Sequence, residues 1–246
     1  MAGMNALAAD RKQWARDHAA ALRNLYGPLD GEGLVKVMTQ LEFRGRIALV
    51  SSFGAESAVL LHLVAKVDRS IPVIFLDTDK LFGETLRYRD RLTRLLGLTD
   101  VRTIEPDPVA VAARDPDGVL WRDDPNACCR LRKVEPLNRA LSGFDAWITG
   151  RKRFQTQERA ELPNLESANG LVKVNPLISW DAEALDAYRI AHDLPPHPLV
   201  EDGYLSIGCM PCTDRVVPGG DYRDGRWAGT EKKECGIHLE ADGSGI

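Results

Sequence analysis

The sequence lacks any run of about 18 consecutive apolar residues, so it offers no membrane-spanning helix. No basic segment followed by an apolar run stands near Met1; no secretory signal is visible, and a cytoplasmic location is expected. Basic charge is not in excess: 32 Lys and Arg face 36 Asp and Glu, a formal net charge of −4, which argues against a general nucleic-acid binder. No internal repeat is present, and no phosphate loop ends in Gly-Lys-Ser/Thr. The apolar and charged fractions, 44% and 28%, are ordinary for a globular protein and argue against global disorder. Cysteine is scarce, five in 246 residues. In a reducing compartment, clustered cysteines are better read as ligands or redox groups than as staples.

Four of the five stand as two groups, Cys128-Cys129 and Cys209-x-x-Cys212, and the fifth, Cys235, is isolated in Glu-Cys-Gly-Ile-His. Four thiolates in two groups can hold a metal or an iron–sulfur centre. Adjacent cysteines on a helix point about 100° apart, so both reach one centre only at a helix end or in strained geometry. The Cys-x-x-Cys loop converges two sulfurs on one point. On spacing alone an iron–sulfur centre, a structural zinc site and buried free thiols all stay open, although a vicinal pair is unusual for zinc. Lys133 lies one helical turn beyond Cys129, with Arg130 and Arg132 beside it. Such cations would stabilise an anionic cluster, or form a solvated helix face.

The chain alternates strands and helices. The first 45 or so residues read as two helices separated by Tyr26-Gly-Pro-Leu-Asp30. Strands are expected at Ile47–Ser51, Pro72–Asp77, Val101–Ile104 and Ala146–Thr149, with an edge strand at Leu171–Asn175. Helices are expected at Glu56–Val67, Phe82–Leu96, from Asn126 through Leu141, and at Asp181–His192. The pattern predicts an α/β fold with a doubly wound, mostly parallel sheet of about five strands and helices on both faces. Ligands in such sheets bind beyond the carboxyl ends of the strands, at a topological switch point. From Thr213 onward periodicity is lost and Gly, Pro, Arg and Asp dominate. Gly219-Gly220, Gly225 and Gly229 among charged residues predict a mobile tail or lid.

Three strand ends carry chemistry. Ser51-Ser-Phe-Gly-Ala-Glu-Ser57 is a strand-to-helix turn that can present backbone N–H groups to an anion, or serve as an N-cap with a glycine turn. Thr149-Gly-Arg-Lys-Arg153, with Gln155 and Arg159 beyond, places guanidiniums that match phosphate and sulfate oxygens, or forms a solvated loop. Around Cys235 stand Arg223, Arg226, Lys232 and Lys233, with His238 three residues on. Positive surroundings lower a thiol pKa and draw an anionic substrate to the sulfur.

Taken together these motifs resemble the assimilatory sulfonucleotide reductases, specifically the iron–sulfur branch that reduces adenosine 5′-phosphosulfate (APS). The matching residues are Ser51–Ser57, Leu76-Asp-Thr78, Cys128-Cys129-Arg-x-Arg-Lys133, Thr149-Gly-x-x-Arg153, Cys209-x-x-Cys212, Arg223-x-x-Arg226-Trp227 and Glu234-Cys235-Gly-Ile-His238. They cover roughly residues 45 to 240, and the paired cysteines with the Cys-Gly-x-His tail are the specific part.

The resemblance implies a sheet of the adenine nucleotide alpha hydrolase type and a 4Fe-4S cluster on Cys128, Cys129, Cys209 and Cys212, with Lys133 beside it. It implies Cys235 as the nucleophile that takes the sulfonate and expels AMP, and thioredoxin or a glutaredoxin-like dithiol as the partner that releases sulfite. Ser51, Ser52, Gly54 and Ser57 would line the phosphate loop, Leu76 would contact adenine, and Thr149 and Gly150 would complete the nucleotide pocket. Arg153, Arg159, Arg223 and Arg226 would grip the phosphosulfate, and His238 would touch substrate. The implied organisation is N-terminal helices over 1–45, a nucleotide-binding domain over 46–212 and a flexible catalytic tail over 213–246. Neither nucleic acid nor membrane is an expected partner, and a homo-oligomer is possible. Two departures stand out: Asp79 where the family commonly has glycine, and Phe154 where it has an acidic residue. Competing readings are a reductase of the 3′-phosphorylated nucleotide (PAPS) or of both nucleotides, an ATP-using adenylyltransferase or tRNA-thiolating enzyme, and a zinc-stabilised nucleotide-binding module.

Overall fold

The computed structural model describes residues 2–217, 219–230, 232 and 234–238, with side chains from residue 7 onward. The chain runs α1 (Ala2–Tyr26), α2 (Gly31–Val37), β1 (Ile47–Val50), α3 (Ser57–Val67), β2 (Val73–Leu76), α4 (Gly83–Leu96), β3 (Val101–Ile104), α5 (Pro108–Arg114), α6 (Leu120–Asp123), α7 (Pro125–Cys129), α8 (Glu135–Ala140), β4 (Ala146–Ile148), β5 (Leu165–Ala168), β6 (Leu171–Val174) and α9 (Ala182–Ala191). Two wide π turns extend helices: Met38–Glu42 follows α2, and Arg130–Val134 joins α7 to α8. None of the described helices is long and apolar enough to cross a membrane.

The strands form one six-stranded sheet in the order β3-β2-β1-β4-β6-β5. All pairs are parallel except β5 with β6. The chain moves outward from β1 through β2 to β3, then returns to the other side of β1 at β4. The switch point therefore lies between β1 and β4. The doubly wound, mostly parallel sheet matches the sequence expectation, but it has six strands rather than about five. The strand expected at the edge, Leu171–Val174, is interior, and the edge is β5. Asn169-Gly170 joins the two with positive φ at both residues, 51° and 79°, the geometry of a tight hairpin turn. Leu165-Glu-Ser-Ala168 has little strand character of its own; β6 and the covering helix α1 hold it in place. α5 and α6 also lay outside the sequence reading.

Alternation along the strands sorts the core into two layers. Ile47, Leu49, Val73, Phe75, Ala146, Ile148, Val172 and Val174 face one side and join the large cluster built with α1, α2, α3 and α4. Ala48, Ile74 and Trp147 face the other side and meet only Leu137, Leu141 and Phe144 as buried partners. This thinner face is completed by the chain after Thr213. Ile237 packs against it, Trp227 is buried, and Asp214 N–H donates to the Gly225 carbonyl at 2.7 Å.

Candidate active site

A cavity of about 210 Å³ opens at the switch point. Ser51, Ser52, Gly54 and Ser57 line it from the β1–α3 turn, Leu76 from the end of β2, and Thr149 and Gly150 from the end of β4. The turn is built tightly. Phe53 holds φ at +48° while its ring is fully buried, and Ser51 Oγ accepts the Phe53 N–H at 3.2 Å. A Cβ at position 54 would stand 3.1 Å from the Ile207 carbonyl oxygen, so a side chain there would press on the Ile207 backbone. Thr149 is fixed by donating to Asn175 Oδ1 at 2.8 Å.

The cationic wall differs from the expected one. Arg153 is exposed and donates to the Leu162 carbonyl at 2.9 Å, outside the cavity. Its neighbours Arg151 and Lys152, 2% and 3% exposed, turn inward instead. Lys152 is still extended, and a short 3₁₀ turn begins at Arg153, so Arg153 stands on the turn while Arg151 and Lys152 precede it. Arg151 pairs with Glu166, and its Nη1 has no partner among the described residues. Burial, with Arg159 nearby, pushes its pKa down to about 9. Lys152 donates to Glu56 Oε2 at 2.5 Å, and Gln155 donates to the same oxygen at 2.7 Å. Arg159, Arg223 and Arg226 all line the cavity. Arg159 is held by Glu234 at 2.6 Å, and Arg226 lies over the Trp227 ring at 4.5 Å. A Cβ on residue 208 would overlap the Arg226 guanidinium, so Gly208 is what lets Arg226 pass. Glu56, Arg151, Lys152, Gln155, Tyr222, Trp227 and Glu234 are cavity residues absent from the expected site. Except for Tyr222, each has as its sequence signal a place within the quoted motifs or, for Gln155, just beyond one; Tyr222 has none.

Cys235 lies half-buried at the end of the cavity with His238 beyond it. Its thiol is held well below the usual range, first by hydrogen bonding from Cys129, against the cost of burial, and then by the Lys133 ammonium. His238 stacks on Trp147, 6.1 Å between centroids and 7° from parallel. Burial pushes its imidazole well below its usual pKa, helped by Lys173 and Arg151, and its Nδ1 has no partner among the described residues. Lys232 points away to Asn126, and Lys233 lies outside the described residues.

The four other cysteines surround a second, small cavity of about 10 Å³. Cys128 and Cys129 are the last two residues of α7, where the helix does not end but passes into the wide π turn Arg130–Val134 and on into α8. Cys209 is placed by Thr78, whose Oγ1 is 3.2 Å from its sulfur, and by Thr213, which donates to its carbonyl at 2.8 Å. All four thiols are free of disulfides. Burial, with Cys209 nearby, pushes Cys128 up to about 11, and burial likewise raises Cys212. Burial opposes the charge on Lys133, yet Cys209, Cys235 and Cys129 outweigh it and raise its pKa. Lys133 and Trp227 line both cavities and form the wall between them. Among the described residues, no group of three or more His, Cys, Asp or Glu is gathered as a site for a metal ion.

The two departures are accommodated. Asp79 holds φ at +57°, a conformation that favours glycine, and its carboxylate points to Arg132 at 3.0 Å rather than into the cavity. Phe154 packs edge-on against Tyr222, 5.7 Å between centroids.

The phosphoadenosine phosphosulfate reductase domain matches residues 46–215. This chain belongs to that family. It is 52% identical over 221 residues to the adenosine 5′-phosphosulfate reductase of Mesorhizobium japonicum, covering 90% of this chain and 87% of the relative. A relative of the same name from Chelativorans sp. is 50% identical over 226 residues, 92% of each chain. Among solved structures, the phosphate complex of phosphoadenylyl-sulfate reductase from Candida auris superposes with a TM-score of 0.67 at 25% identity, covering 81% of this chain and 97% of that one.

Proposed function

We propose that this chain is an oxidoreductase of sulfate assimilation that reduces APS to sulfite and AMP, in the cytoplasm, through an S-sulfonated Cys235. The observation that carries the reading is the placement of a single thiol, Cys235, in the same cation-walled cavity that opens at a nucleotide-type switch point. The adenylate would lie over Ser51–Ser57, with adenine toward Leu76 and Thr149, and the sulfonate would point to Cys235. The thiolate attacks sulfur, the S–O bond to the phosphate breaks, and its electron pair leaves on AMP. Arg223, Arg226 and Lys133 lie where that negative charge shifts. A dithiol protein such as thioredoxin then attacks the Cys235 sulfur and expels sulfite; the resulting mixed disulfide resolves to the partner's own disulfide, which accounts for the two electrons. Reaching Cys235 would require the segment that carries it, 234–238, to move outward after the first step.

The small cavity fits a 4Fe-4S cluster by donor chemistry: four thiols line it, with Lys133 and Arg132 but no carboxylate or imidazole. When bound, such a cluster would supply a fixed anionic centre that orders α7 and the Cys209–Cys212 turn. Ligation would deprotonate Cys129, end its hydrogen bond to Cys235, and leave Lys133 as the cation holding the nucleophile. The test is mass spectrometry after incubation with APS and no reductant. Wild type should carry a sulfonate on Cys235, and Cys235→Ser should carry none while retaining AMP binding. Brown protein with about four irons and four sulfides per chain would accompany that result; one zinc would remove the cluster.

A further inference from the structure

Glu234 stands directly before the nucleophile and is itself buried. Its Oε2 accepts both Nε and Nη2 of Arg159, at 2.7 and 2.6 Å. Its Oε1 accepts the Cys235 backbone N–H at 2.8 Å and lies 3.5 Å from Arg223 Nη2. Burial works against this carboxylate, but Arg159 and Arg223 outweigh it and hold its pKa below the usual range. The two arginines are therefore engaged unequally. Arg159 makes two charge-assisted hydrogen bonds to one carboxylate oxygen, whereas the Arg223 contact is at the limit of hydrogen bonding. Arg223 also keeps a buried Nε without a partner among the described residues. A carboxylate of the tail thus contacts two guanidiniums of the cavity wall, the groups that a substrate oxyanion would use.

We propose that Glu234 is a positioning residue that stands in for the substrate anion: it keeps Arg159 and the Cys235 backbone, and yields Arg223 to the substrate. The inference rests on the sulfonucleotide reading of the cavity. It predicts two effects of opposite sign. As an anion beside an anion site, Glu234 weakens nucleotide binding. As the anchor of Arg159 and Cys235, it speeds transfer by holding the sulfur in line.

The test compares wild type and Glu234→Gln, both full-length with their native metal content and matched thermal midpoints. AMP affinity is read by calorimetry, and single-turnover sulfonation of Cys235 at saturating APS by mass spectrometry. The variant should bind AMP a few-fold tighter than wild type, about threefold at low salt, and unchanged affinity overturns the proposal. It should sulfonate about tenfold or more slowly, the scale of one lost charge-assisted hydrogen bond. Glu234→Asp should recover part of the rate. A purely structural role would weaken binding and rate together, so weaker AMP binding overturns the proposal, as does a wild-type sulfonation rate. A wild type that forms no adduct would overturn the sulfonucleotide reading itself, and the proposal with it.

Discussion

The two faces of the sheet are stabilised by different means. The face under α1–α4 is sealed by hydrocarbon: Leu22, Leu34, Leu49, Leu61, Val64 and Phe75 are buried with no ligand involved. The opposite face has six buried apolar residues, and its cover includes a tail that carries Glu234, Arg223, Arg226 and His238 over Trp147. Hydrocarbon packing is indifferent to anions, whereas a buried cluster of cations gains from one. The first face makes the fold, and the second is free to respond to substrate because it is not held by packing alone.

The comparison can be broken from the packed side first. Leu61→Ala in α3 should cost about 3 kcal/mol of stability by denaturant unfolding, through a cavity that nothing refills, while leaving AMP affinity near wild type. A variant that lost nucleotide binding without losing stability would show that the two faces are not separable. An effect of similar size is expected from acid. His197 is fully buried against Tyr88; its Nδ1 accepts the Leu199 N–H at 3.2 Å, and its Nε2 lies 3.1 Å from Thr85 Oγ1. Burial lowers its pKa from 6.5 to about 4. The unfolded chain therefore takes up the proton first: this contribution is complete above 6.5 and is lost as the pH falls towards about 4. The loss is about 3 kcal/mol, to be measured as Tm against pH, and His197→Gln should flatten that slope. The smallest effect belongs to Arg153. Arg153→Ala should change APS turnover less than about threefold, since it faces solvent, whereas Arg151→Ala should lose at least about tenfold through a cavity wall that loses its buried cation and leaves Glu166 with only Asn175 and Lys173. Equal losses in the two would restore Arg153 to the site.

Much of this was legible before any coordinates. Buried strands such as Val73–Leu76 announce themselves by continuous apolar runs, and the order of strands and helices implies a switch point. β5 is not legible because its residues are unremarkable alone, although Asn169-Gly170 is a local turn signal beside it. Arg151 and Arg153 could not be told apart in a string of three cations, because side-chain direction after a strand depends on where the next turn begins. Asp79 was recognisable as a departure, but only the backbone reveals that its position favours glycine for conformation and that Arg132 takes the carboxylate. The tail read as mobile because it has few apolar residues, and the anchors it does use, Trp227 and Ile237, are isolated in sequence.

By itself the sequence determined the chemistry available to this protein: four grouped thiols, one lone thiol, a serine- and glycine-rich turn and a supply of arginines, all local properties of residue type and spacing. Tertiary structure alone decided which of them meet. It turned Arg151 inward and Arg153 outward, set Lys133 in the wall between the two cavities, and laid Glu234 across Arg159 beside Cys235. Those pairings join residues up to about a hundred positions apart, and only packing across the sheet can bring such groups into contact.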